Sequence, residues 1–259
     1  DNTASVTGHS DSASVEVCRG ADLTVTKSVS TSYTRTYDWT TAKAAGAYDG
    51  TVPAGTVVDV PFTVTVSKNG YADSSFAASG TIKVSNPNTF MAVTATLSDT
   101  LTGIAGGSCT PSTTAVTVPA GESVEVPYSC TFAGSMTVAA TGSNTATVTW
   151  DSSAVHSPTG TDTSGPVDVT FGGPSSEVND EITVTDTQHP SWTLVWATAN
   201  DTTDFDYTIP VPAPSGSCET INNTAAITGI AGASAGASAT VCGGANLTVT
   251  KTADAGYTQ

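Results

Sequence analysis

Short segments in which apolar and polar residues alternate follow one another along the chain, and Gly and Pro interrupt them roughly every ten residues. A period of two is that of a pleated strand, and the Thr and Val that fill these segments pack well on a half-buried sheet. The pattern predicts strands over 23–29, 33–41, 56–67, 80–85, 92–98, 115–118, 123–130, 145–150 and 167–171. Turns are predicted at Pro53-Ala54-Gly55, Lys68-Asn69-Gly70, Asn86-Pro87-Asn88 and Pro119-Ala120-Gly121. Further strands are expected over 181–185 and 237–242, and a terminal hairpin from 3–7 and 13–17 around Gly8-His9-Ser10-Asp11. No segment shows apolar residues at helical spacing, so the chain reads as all-β.

A long-range repeat organises these strands. Cys18-Arg19-Gly20-Ala21-Asp22-Leu23-Thr24-Val25-Thr26-Lys27 returns as Cys242-Gly243-Gly244-Ala245-Asn246-Leu247-Thr248-Val249-Thr250-Lys251, and the echo extends to Tyr33-Thr34 against Tyr257-Thr258. Asn2-Thr3-Ala4, Asn144-Thr145-Ala146 and Asn223-Thr224-Ala225 share another phrase, which marks a closing strand. Self-similarity of this kind points to one link of an array. The expected layout is a closing hairpin of a preceding module over 1–20 and a large β-sandwich over 21–172. A small sandwich over 177–243 and the first strand of a further large domain over 244–259 follow. Strand number and spacing suggest immunoglobulin-like sandwiches, in tandem and incomplete at both ends.

The repeat also rationalises an odd cysteine count. If Cys242 pairs with Cys218, the partner of its equivalent Cys18 lies in a preceding copy, and Cys109 is left with Cys130. Two disulfides imply an oxidising, extracellular setting; reduced structural cysteines are the alternative. A net charge of −16 repels a polyphosphate backbone, so nucleic acid is not expected as a partner. No apolar run is long enough to cross a bilayer.

The openings Leu-Thr-Val-Thr-Lys at 23–27 and 247–251, and the closings Asn-Thr-Ala at 144 and 223, resemble the tandem immunoglobulin-like conserved repeats of bacterial and archaeal cell-surface proteins. That resemblance implies a stalk, adhesin or extracellular fibre. The small module departs from it by carrying Asp186 near the place of the lysine. Lys27 on a first strand and Asn144 on a last strand also resemble surface-protein domains that hold a spontaneous Lys-to-Asn isopeptide bond. Such a bond needs a carboxylic acid in an apolar core, for which Glu125 and Asp59 are candidates; a solvated lysine and a turn asparagine are the alternative.

Other constellations each carry two readings. Tyr33, Arg35, Tyr37 and Trp39 share one strand face, which serves as a subunit or glycan-binding surface or else as sandwich core with Arg35 at its rim. Trp192, Leu194 and Trp196 are expected in the small module's core. Asp201, Asp204 and Asp206 form an acidic stretch, either a calcium loop without EF-hand spacing or simply solvated. Gly232-Ala233-Ser234-Ala235-Gly236 matches a nucleophile elbow but lacks the strand–turn–helix context that strains such a serine, so it reads as a hairpin loop. No nucleophile, base and orienting group converge, and no enzyme activity is expected. The chain is expected to be a structural building block of an extracellular filament or stalk. Its partners would be neighbouring copies, joined in tandem or by strand exchange; a surface adhesin or carbohydrate-binding module is the alternative.

Overall fold

The computed structural model describes residues 1–46 and 51–256. In chain order the strands are β1 Asn2–Val6, β2 His9–Ala13, β3 Thr24–Lys27, β4 Ser30–Ala45, β5 Thr51–Pro53, β6 Val57–Ser85, β7 Val93–Thr102, β8 Gly107–Pro111, β9 Ala115–Val118 and β10 Ser123–Phe132. They continue as β11 Thr141–Trp150, β12 Thr161–Thr163, β13 Val167–Thr170, β14 Ser176–Val178, β15 Glu181–Asp186, β16 Trp192–Val195, β17 Thr202–Pro212, β18 Ser217–Ile227 and β19 Ser234–Gly244. Among the described residues the single helix, α1 Ser152–Val155, is one turn capped by Asp151. The protein is all-β with several sheets.

Two compact units divide the chain, one of Asp1–Thr34 with Asp73–Ser176 and one of Arg35–Ala72 with Glu177–Gln259. This differs from a continuous large domain over 21–172. The long strands β4 and β6 each give one part to either unit, and β17 pairs with β6 over eleven residues, from Thr202↔Ser67 to Pro212↔Val57. The reason is burial. A module of residues 177–243 alone leaves β17 without a partner strand and the sheet of β15, β18 and β19 without a full covering layer, whereas β6, paired with β17, and β4 beside it complete a facing sheet. Lys68-Asn69-Gly70 is accordingly continuous strand and not a turn: the Lys68 N–H donates to the Asp201 carbonyl, and the Asn69 amide to Asp38.

In the first unit, β3 and β10 flank β6 and β8 follows β10, while β11, β7 and β9 form a second sheet joined by β12 and β13. Leu23, Val25, Ile82, Val84, Val126 and Tyr128 from the first sheet meet Val93, Leu97, Val118, Val148 and Val169 from the second in one core. In the second unit, Tyr37, Trp39, Val64 and Val66 pack against Ile182, Val184, Ala225 and Ile227. A further cluster joins Val60, Phe62 and Val211 to Ala239 and Val241.

Cys109–Cys130 and Cys218–Cys242 are disulfides, each between directly paired residues of neighbouring antiparallel strands. Cys18 is a free, exposed thiol. The terminal hairpin pairs 2–6 with 9–13 around Thr7-Gly8, in a register shorter than expected, because Gly8 at φ 85° turns the chain early. Leu247 to Lys251 form no strand: Leu247 is 97% exposed, whereas the same words at 23–27 pair with β6. Residues 257–259 lie outside the described residues.

Candidate crosslinking site

Among the described residues four asparagines are buried with the core: Asn86, Asn88, Asn144 and Asn223. Two of them have an ordinary structural role. The Asn86 amide donates to the carbonyls of Met91, Val118 and Pro119, and Asn88 exchanges hydrogen bonds with the backbone of Ala21. Asn144 differs: it is wholly buried, and its side-chain oxygen has no hydrogen-bond partner. A buried acceptor left unsatisfied costs on the order of 1–3 kcal/mol, so its retention calls for a reason.

The neighbours of Asn144 supply one. Its Nδ2 donates to Asp99 Oδ2 at 3.3 Å, and the other oxygen of that carboxyl, Oδ1, receives Lys27 Nζ at 2.6 Å. The side chains of Lys27 and Asp99 have no solvent exposure. Lys27 Nζ lies 3.3 Å from the centre of the Tyr128 ring, whose hydroxyl donates to the Ser28 carbonyl, and Cys130 Sγ lies 3.8 Å from Asn144 Nδ2. One carboxyl thus holds an amine on one oxygen and a carboxamide on the other, walled by an aromatic ring and a disulfide.

Strand alternation brings these groups together. Lys27 continues the inward series Leu23 and Val25 on β3; Asp99 continues Val93, Ala95 and Leu97 on β7; Asn144 leads Ala146, Val148 and Trp150 on β11. β7 and β11 are paired, with Asn144 opposite Leu101 and Asp99 opposite Ala146. The lysine comes from the facing sheet. A buried ion pair seldom stabilises a fold more than an apolar replacement of equal volume, so its presence here points to chemistry.

Burial holds the Lys27 amine below its usual pKa, even though Asp99 acts the other way through a hydrogen bond and its charge. Burial, assisted by the charge of Asp99, pushes the Tyr128 hydroxyl up to about 12 and keeps it a neutral wall. An amine that sheds its proton easily is a nucleophile, and the acid that takes the proton lies within hydrogen-bond reach of both reactants. The arrangement is suited to attack of Lys27 Nζ on the Asn144 side-chain carbonyl carbon. With the amide turned so that its oxygen meets a protonated Asp99, the carbonyl is polarised and the unpartnered acceptor is satisfied.

The residues named from the sequence fall as follows. Lys27 and Asn144 meet at one carboxyl, but that carboxyl is Asp99, while Glu125 and Asp59 are exposed. Asp99 was within reach of sequence reasoning, because it sits in phase with the apolar face of β7. Tyr33, Tyr37 and Trp39 are core residues at 3%, 9% and 2% exposure, and Arg35 stacks on the Tyr71 ring at 3.8 Å. These aromatics offer no open surface for a sugar. Trp192, Leu194 and Trp196 pack against the second unit's core, as expected. Asp204 and Asp206 lie on β17 and not in a loop, each accepting a hydrogen bond from a threonine of β6, Thr65 and Thr63. Asp201 precedes that strand, and no group of three or more His, Cys, Asp or Glu that could hold a metal occurs among the described residues. Ser234 starts β19 after the Gly229 and Gly232 turns, so the elbow-like phrase ends a hairpin loop.

No family model, curated protein or solved structure matches the chain. Among the described residues no helix is long and apolar enough to cross a membrane, and the two disulfides are compatible with a secreted or extracellular protein.

Proposed function

We propose that the chain is a structural building block of an extracellular filament or cell-surface stalk, built of immunoglobulin-like modules and stapled internally by a Lys27–Asn144 isopeptide bond. The observation that carries this is the complete burial of the Lys27–Asp99 pair beside a buried carboxamide. Reactive groups with no path to solvent act on each other and not on an external substrate, so the reaction serves the fold. The amine displaces the amide nitrogen, a new C–N bond forms, and ammonia leaves with a proton relayed by Asp99. A link from β3 to β11 ties strands about 117 residues apart and passes pulling force through covalent bonds, which suits a module loaded along its length. Repetition of Cys18 to Lys27 at Cys242 to Lys251 supports a head-to-tail array.

Electron microscopy of the native secreted material tests the role. Regular fibres whose repeat matches a whole number of these units are expected, and dispersed particles of one copy would overturn it. Denaturing electrophoresis then separates a continuous polyprotein, which stays very large, from subunits joined by strand exchange, which run near 26 kDa, the mass of about one copy.

A further inference from the structure

The second unit carries a lysine, a carboxyl and an asparagine of its own. Lys43 Nζ donates to Asp186 Oδ2, with no solvent exposure on either side chain, and to the Tyr207 hydroxyl at 2.7 Å. That hydroxyl donates to Asp186 Oδ2 at 2.8 Å and accepts from Asn223 Nδ2 at 2.6 Å. Asn223 is 1% exposed, and its Oδ1 accepts a hydrogen bond of 2.9 Å from Thr187 Oγ1. Five polar side chains therefore share one small network inside the unit, with Lys43 Nζ 5.4 Å from the Phe62 ring centre.

The strand pattern places them deliberately inward. Asp186 follows Ile182 and Val184 on β15, Asn223 leads Ala225 and Ile227 on β18, and Lys43 follows Tyr37 and Trp39 on β4. Ile182-Thr183-Val184-Thr185-Asp186 parallels Leu23-Thr24-Val25-Thr26-Lys27, and Asn223-Thr224-Ala225 parallels Asn144-Thr145-Ala146. The asparagine keeps its place in the phrase, and in both units the acid stands on a strand paired with that of the asparagine, β7 with β11 and β15 with β18, while the lysine stands on a strand of the β6 sheet. Asp186, which looks like a departure from the module pattern, stands in the sequence phrase where the other unit has its lysine.

We propose that Lys43 and Asn223 form a second isopeptide bond, with Asp186 as proton shuttle and Tyr207 as the relay between carboxyl and amide. The step extends to this unit the chemistry read at Lys27 but stands on its own residues. The Lys43 ammonium gives a proton to Asp186; the freed amine attacks Cγ of Asn223, and the carbon's bond to the amide nitrogen breaks. One further hydrogen of the amine passes through the Tyr207 hydroxyl to the departing nitrogen, which leaves as ammonia, and Asp186 keeps the first proton. The Thr187 hydroxyl steadies the carbonyl oxygen as charge builds on it. No oxidant, metal or cofactor is required.

The intact mass of the reduced wild-type chain, followed by peptide mapping, tests this. A mass about 34 Da below the sequence value is expected, one ammonia of about 17 Da for each bond. Lys27→Ala and Lys43→Ala should each retain a deficit of about 17 Da, Asp186→Ala should lose the second bond alone, and the wild-type map should contain a branched peptide joining Lys43 to Asn223. Unmodified Lys43 and Asn223 in separate wild-type peptides overturn the proposal, and this arm requires no variant to fold. A deficit abolished entirely by Lys27→Ala overturns the second bond and leaves the first standing; one abolished entirely by Lys43→Ala does the reverse.

Discussion

Replacing Asn144 by Ala removes the acceptor of the first bond and leaves the Lys27–Asp99 pair in place, so it isolates the crosslink. A bond between 27 and 144 closes a loop of about 117 residues, for which the chain-entropy relation gives about 5 kcal/mol of stabilisation through the unfolded state. Loss of the Asn144 side chain removes an unsatisfied oxygen as well as a few contacts, and these partly cancel. For a unit of about 140 residues, 5 kcal/mol corresponds to a fall of about 15–20 °C in the melting temperature. Two measurements check this on the same sample: intact mass after reduction, and thermal unfolding followed by near-ultraviolet circular dichroism. The variant should show a mass deficit smaller by about 17 Da than wild type and a first-unit transition lowered by the stated amount. If wild type and Asn144→Ala show the same deficit and melt within a degree or two of each other, Lys27 and Asn144 are not joined and the reading of the site fails.

Two further outcomes follow from features outside that bond. Replacing Cys218 and Cys242 together by Ser opens a loop of 24 residues and should cost about 3 kcal/mol, seen as a lower guanidinium midpoint for the second unit that added reductant no longer changes. Because the folded-state pKa of Tyr128 is raised to about 12, its contribution to stability is intact below the unfolded value of 10.0 and is lost as pH rises from there toward 12. An alkaline loss of stability accompanied by tyrosinate absorbance is therefore expected, and Tyr128→Phe should make it shallower but not abolish it, since the Tyr207 and Tyr37 hydroxyls are raised as well; an unchanged alkaline limb in that variant would count against Tyr128 as a source.

The alternation of residues by itself determined that this chain is all-β, and it fixed which side of each strand faces inward. Lys27, Asp99, Asn144, Lys43, Asp186 and Asn223 each stand in phase with apolar neighbours on their own strands. Their burial was legible at that level, because period two needs no knowledge of any partner strand. The repeat of Cys18 at Cys242 and the cysteine arithmetic likewise pointed to both disulfides, which join residues directly opposite in antiparallel pairs.

Which inward groups meet was decided only by tertiary structure. Asp99 reaches Lys27 across 72 residues and Asn144 across 45, and Lys43 reaches Asp186 across 143. Strand order and register set those meetings, and neither leaves a local mark on composition or spacing. The same limit explains the division of the chain. The segment 35–72 looks like the middle of the first domain when read along the sequence, but its β4 and β6 strands carry the face that covers β15, β18 and β19. A sheet with one apolar face must be covered by something. Sequence shows the face, and only the packed molecule shows which strands cover it.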